Sequence, residues 1–212
     1  MSDEPREFHK PLRRPASTFD RRFAAEDPAE VSRVAHVTAA ALLSRVRSDP
    51  GGEVVDRLVA FTADHGIDTI AELWSRSPAR SLPGALWRLY LLQLMIHDDP
   101  QTAALLYERG RARLASPDDV VAGAPTPAGP DELMALIDEI LRGVFTGDFA
   151  VALDRAASFA RVEAAGATDF ADDYDAAEPD RATAFTTRAL RLSTYGEDLT
   201  ACAALWRREA LT

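Results

Sequence analysis

From Asp27 onward the apolar side chains return at spacings of three and four. Val31, Val34, Ala35, Thr38, Leu42 and Val46 set this period first, and it gathers them on one face of a helix. No stretch sustains a β-branched alternation and no Asn-Gly hairpin signal occurs, so the pattern predicts an all-α fold with no β-sheet.

The breaks in this period divide the chain. Asp27 and Pro28 suit a helix start, and "SDPGG", Ser48 to Gly52, a stop. A second helix carries Val54, Val55, Leu58, Phe61 and Thr62 up to Gly66, and a short third one carries Ile67, Ile70, Leu73 and Trp74. Ser81 caps the next, whose apolar residues from Leu86 to Ile96 cover nearly every direction; this predicts the central helix of the first half. Its apolar run is too short to cross a bilayer and includes Arg88 and Gln93. A fifth helix begins at Pro100 and turns Ala103, Leu106, Tyr107 and Gly110 inward.

Then "SPDDVVAGAPTPAGP", Ser116 to Pro130, holds four prolines and two glycines, so it cannot be one regular element. Beyond it, Leu133, Leu136, Ile137, Ile140, Leu141 and Val144 form an apolar stripe, and "TGDF" turns into a helix bearing Ala152, Leu153, Ala156, Phe159 and Ala160. That turn and helix resemble one tetratricopeptide unit through Gly147, Asp148, Phe149, Ala152 and Leu153, with no second copy at the expected period. Gly166 is expected to end this helix. Asp180 is expected to cap another, with Ala182, Phe185, Ala189 and Leu192, and Gly196 to separate it from a last one bearing Leu199, Cys202, Ala203 and Trp206. The expected architecture is an irregular bundle of about nine helices in two packed halves, 27–115 and 131–212, joined by 116–130 and preceded by an arm at 1–26.

The arm has three prolines and no sustained period. Phe8, Phe19 and Phe23, with Arg13, Arg14, Arg21 and Arg22, would make it a docking peptide; without a partner it is a solvated tail. The net charge of −10 and a pI near 4.9 disfavour a general phosphate-backbone binder. All but one of the 24 basic residues are arginine, a bias expected of a high-GC genome. Cys202 stands alone, so no internal disulfide forms, and no charged start leads into a secretory apolar stretch. A cytoplasmic protein is expected, with no membrane association.

"HDDP", His97 to Pro100, allows two readings. An HD-type metal-dependent phosphohydrolase uses a histidine, a later His-Asp pair and a distant aspartate; His65, His97, Asp98 and then Asp131 or Asp138 occur in that order. Such ligands would hold a divalent cation and acidify a bound water. The simpler reading is a helix junction, in which His97 suits a helix end, Asp99 an N-cap and Pro100 a first turn.

Other features favour structure over chemistry. "DFADDYDAAEPD" supplies six acids but lacks the glycine and terminal glutamate of a calcium loop, so it is expected to be a solvated acidic loop. A helix-turn-helix around Gly66 would leave few side chains for bases, because Ile70, Leu73 and Trp74 serve packing. The Leu-Trp pairs at Trp74, Trp87 and Trp206 suit core positions, and Cys202 an inert one. Arg88, inside an apolar helix, must find an acid, snorkel to the surface or line a pocket.

The runs "AELWSRSPARSLPGALWRLYLLQLMIHDDP" and "VVAGAPTPAGPDELMALIDEILRGVFTGDFAVALDRAASFARVEAAG" resemble an uncharacterised all-helical family of high-GC Gram-positive, actinobacterial bacteria. The resemblance spans roughly 27–212. It implies a bacterial cytoplasmic protein and supplies no functional residue. The expected function is a non-enzymatic protein-interaction or adaptor role with a protein partner, with no cofactor and with self-association left open. Arg88 and the basic and aromatic residues of the arm are the candidate partner contacts. The alternatives are the phosphohydrolase and a DNA-binding transcriptional regulator, for which nucleic acid is the disfavoured partner.

Overall fold

The computed structural model describes residues 28–48, 73–114, 116–123 and 129–212. Seven helices follow in order: α1 (Pro28–Arg47), α2 (Leu82–Asp98), α3 (Pro100–Arg113), α4 (Asp118–Ala122), α5 (Pro130–Thr146), α6 (Phe149–Tyr174) and α7 (Pro179–Trp206). A helical stub at 73–75 precedes α2, and no strand occurs among the described residues. The arm at 1–26 and the helices read from Val54 to Thr62 and around Ile67 and Ile70 lie outside the described residues.

Local chemistry sets several junctions as read. Ser81 Oγ accepts from the Gly84 N–H at 3.2 Å and starts α2. Asp99 Oδ1 accepts from the Thr102 N–H at 3.1 Å, with Pro100 in the first turn, so α3 begins where "HDDP" ends. Those bonds from Thr102 hold the Asp99 carboxyl below its ordinary range. Asp148 Oδ1 accepts from the Ala150 and Val151 N–H groups at 2.8 and 3.2 Å, which starts α6. The start of α7 differs: it opens at Pro179 behind Glu178, whose side chain makes no capping bond, and Asp180 already lies in the first turn.

Helix α2, read as central to the first half, packs against both α1 and α3 there. The most widely packed helix among the described residues is α6. It packs against α3, α4, α5 and α7, and it buries Phe149, Leu153, Phe159 and Val162 among many alanines. α2 buries Leu86, Leu89, Leu92 and Ile96 but leaves Leu94 46% exposed, so its apolar surface is not covered on all sides. Alanine explains the difference, because a small side chain allows a neighbouring backbone to come close.

Two glycines expected to end helices instead sit inside them. Gly166 lies on α6 against α3, where a Cβ would overlap the Leu106 carbonyl oxygen; a Cβ on Gly110 of α3 would overlap the Val162 carbonyl in return. The two helices thus cross through facing notches, and α6 runs on to Tyr174. Gly196 similarly lies within α7, where a Cβ would come 3.2 Å from the Ala157 carbonyl oxygen.

The Pro/Gly-rich connection contains one short helix, α4, held on α6 by arginines. Arg161 Nε and Nη2 donate to Asp118 Oδ1 at 2.9 and 2.6 Å, and Arg155 Nε donates to the Ala122 carbonyl at 3.2 Å. Burial alone would raise the Asp118 carboxyl, but bonds from Arg161, Ser116 and Ser158 bring it below its ordinary value. One apolar cluster runs from Ala35 to Leu211 and takes residues from both sides of this connection. A smaller one joins Leu106, Ala167 and Ala189, with Phe170 and Phe185 against it.

Candidate functional site

His97 lies in the last turn of α2, and α5 packs beside it. Asp138 Oδ1 stands 3.2 Å from His97 Nε2 and accepts from Gln93 Nε2 at 3.2 Å. The pair is partly open to solvent, with side chains 25% and 29% exposed. Asp98 is exposed, as is Asp131, which lies two turns before Asp138 on α5 and so about 10 Å from it along the axis. His65 lies outside the described residues. The structure therefore brings His97 to Asp138 and leaves Asp131 at the start of α5. Among the described residues no three of His, Cys, Asp and Glu gather closely enough to share an ion.

Arg88 is held in an ion pair. Its Nε donates to Asp198 Oδ2 at 3.0 Å, its Nη2 lies 2.8 Å from the same oxygen, and its Nη1 donates to the Gly84 carbonyl at 3.1 Å. Arg80 Nε reaches the other carboxylate oxygen at 3.4 Å. This fastens α7 to α2 near Cys202, whose thiol burial pushes up to about 11, so it is no ready nucleophile.

A second interior pair is less complete. Glu163 of α6 is fully buried, and Arg188 Nη2 of α7 donates to its Oε2 at 3.5 Å. Glu163 Oε1 and Arg188 Nε have no hydrogen-bond partner among the described residues. Burial pushes the Glu163 carboxyl up to about 8 against the opposing charge and bond of Arg188, so it is mostly protonated at neutral pH.

The acidic segment is only in part the solvated loop expected of it: 175–178 form an exposed turn between α6 and α7. Asp169, Asp172 and Asp173 lie on the last turns of α6, where Arg109 and Arg113 of α3 pair with them. Arg109 also lies over the Phe170 ring at 4.9 Å, beside Tyr174 and Phe185. Trp74 is buried, with its indole N–H donating to Thr38 Oγ1 at 3.2 Å, while Trp87 and Trp206 pack partly buried on the core.

A cleft of about 640 Å³ opens where the α5–α6 turn meets the end of α7. Asp148, Phe149, Trp206, Arg207, Glu209 and Leu211 line it. The Phe149 and Trp206 rings meet at 4.6 Å, and Arg207 pairs with Asp154. After α7 the chain turns through Glu209, at φ 56°, and buries Leu211. The Leu82 N–H donates to the Thr212 carbonyl oxygen at 3.0 Å.

The arm residues Phe8, Arg13, Arg14, Phe19, Arg21, Arg22 and Phe23 lie outside the described residues. Sequence reasoning missed Glu163, Asp198 and the cleft. A signal existed for the first, since Glu163 falls four residues after Phe159 on the apolar face of α6. For Asp198 the signal was its place four residues before Cys202. No family model, curated protein or solved structure matches the chain.

Proposed function

We propose that this chain is a non-enzymatic helical protein-interaction or adaptor protein of the bacterial cytoplasm, from a high-GC Gram-positive organism, with another protein as its partner. About nine helices in two packed halves is the finer architecture attached to this reading. The observation that supports it is the cleft at the end of α7, where the partly buried Trp206 ring stands beside Asp148, Arg207 and Glu209. Several other charged groups face one another across helix pairs, as in Arg88–Asp198, Arg161–Asp118 and Arg109–Asp169. Such pairing also leaves these arginines less able to hold nucleic-acid phosphates, so the DNA-binding alternative gains no support from them.

The direct test places a photo-reactive residue at Val151, exposed near the cleft, and separately at Leu190 on α7. Illumination in the native host is expected to give one dominant protein adduct from position 151. No protein adduct from either position contradicts the reading.

A second reading is kept for one observation, the His97–Asp138 contact. It makes the HD-type phosphohydrolase a geometric possibility with Asp138 as the distal carboxylate. That reading requires a bound divalent metal and hydrolysis of a phosphate ester, both lost in His97→Ala.

A further inference from the structure

We infer that the first half of α7, residues 179–190, is a pH-sensitive flap: it lies closed on α6 while the buried Glu163 carries a proton, and it opens as that proton leaves. The inference stands apart from the interaction-module reading.

The two halves of α7 are held unequally. From Leu192 onward the helix gives Leu192, Leu199, Cys202 and Ala203 to the main apolar cluster. Asp198 ties this half to Arg88 and Arg80, Arg161 Nη1 donates to Thr200 Oγ1 at 3.0 Å, and Gly196 lets it lie close against α6. Before Leu192 the helix buries only Ala182 and Ala189. Ala189 joins the small cluster with Leu106 and Ala167, and the partly buried Phe185 ring leans on Phe170 and Tyr174. A segment that covers so little apolar surface opens more readily than the half anchored in the core.

The charged contact beneath this weaker half is the under-bonded one. Glu163 is fully buried, its Oε2 meets Arg188 Nη2 at 3.5 Å, and Glu163 Oε1 and Arg188 Nε have no hydrogen-bond partner among the described residues. A carboxylate placed there lacks the bonds that would replace its water, so the closed seam favours the neutral acid. Arg188 is the charge that opposes this. From α3, Asp99 acts on Arg188, and Tyr107 stacks on Phe159 one turn before Glu163. Asp118 of α4 and Glu139 of α5 are bonded to Arg161 and Arg155 instead. Opening returns Glu163 to water, where its carboxyl titrates near 4.5 in place of about 8. The open form therefore releases a proton across that window, and its population grows about ten-fold per pH unit from 4.5 until it levels off above about 8. Opening also bares Leu106, Ala167 and Phe170 around a carboxylate, so the surface on offer changes with pH.

Amide hydrogen exchange of the full chain tests this at several pH values inside the window, with rates corrected for the intrinsic effect of pH. Protection over 182–190 is expected to lie at least about ten-fold below that over 197–203. In the wild type it should fall about ten-fold per pH unit, and in Glu163→Gln it should stay flat. Arg188→Gln removes the opposing charge, so its fall should continue past the pH at which the wild type levels off. Equal protection in the two halves overturns the inference, because exchange is then a global event. A flat wild-type profile over 182–190 overturns it too, as does a slope that survives in folded Glu163→Gln. The comparison of halves and the wild-type slope need no variant, so they decide the matter even where a substituted chain does not fold.

Discussion

Two arginine–acid contacts hold α7 against the rest of the bundle, and they differ in how completely they are bonded. At Arg88–Asp198 the guanidinium places two nitrogens on one carboxylate oxygen and a third on the Gly84 carbonyl, with Arg80 at the other oxygen. At Glu163–Arg188 one 3.5 Å contact joins the two groups, and an oxygen and a nitrogen are left over. Burying charges repays itself only when the remaining donors and acceptors are also satisfied. The first pair meets that condition, whereas the second relieves its deficit by keeping a proton on Glu163.

The sharpest way to break the comparison is Asp198→Ala, which strands the mostly buried Arg88. The expected loss is about 3–5 kcal/mol in urea unfolding, whereas a loss below about 1 kcal/mol would reduce this pair to the rank of a surface contact. Next comes Glu163→Gln. The folded carboxyl titrates near 8 against 4.5 ordinarily, so the folded state holds a proton that the unfolded chain releases. The stability this contributes is complete below 4.5 and is lost as pH rises through about 8. Wild type should therefore lose roughly 1.4 kcal/mol per pH unit relative to Glu163→Gln across that window, and the gap should stop growing above it. Parallel pH profiles for the two proteins would contradict the protonated state.

Smaller effects sharpen the same contrast. His97→Ala removes a partly exposed bond between α2 and α5 and is expected to lower stability by about 1 kcal/mol in thermal unfolding. Glu209→Gly should raise stability by about 1 kcal/mol or less, because it relieves strain and removes no tie; a destabilised variant would show that the glutamate side chain holds the turn.

Caps were legible in the sequence because their chemistry is local. Ser81, Asp99 and Asp148 each bond to a backbone N–H within three residues. Helical spacing likewise revealed the buried stripe from Leu133 to Val144. Gly166 and Gly196 were misread because glycine both stops helices and lets them cross closely, and only the facing Leu106 and Ala157 backbones decide between these uses. Arg88 visibly needed an acid, but its partner lies 110 residues away among 34 acidic residues. The cleft was illegible for a related reason: Asp148 and Glu209 meet there only through the packing of α6 and α7.

The central claim is that charged groups inside the bundle tie helices together while the protein acts through its surface. Elemental analysis of the purified wild type, His97→Ala and Asp138→Ala tests it most directly. The account predicts no stoichiometric manganese, iron, zinc or nickel in any of the three, with both variants folded but modestly less stable. One equivalent of metal in the wild type, lost in both folded variants, would contradict the account and make the His97–Asp138 contact part of a phosphohydrolase centre.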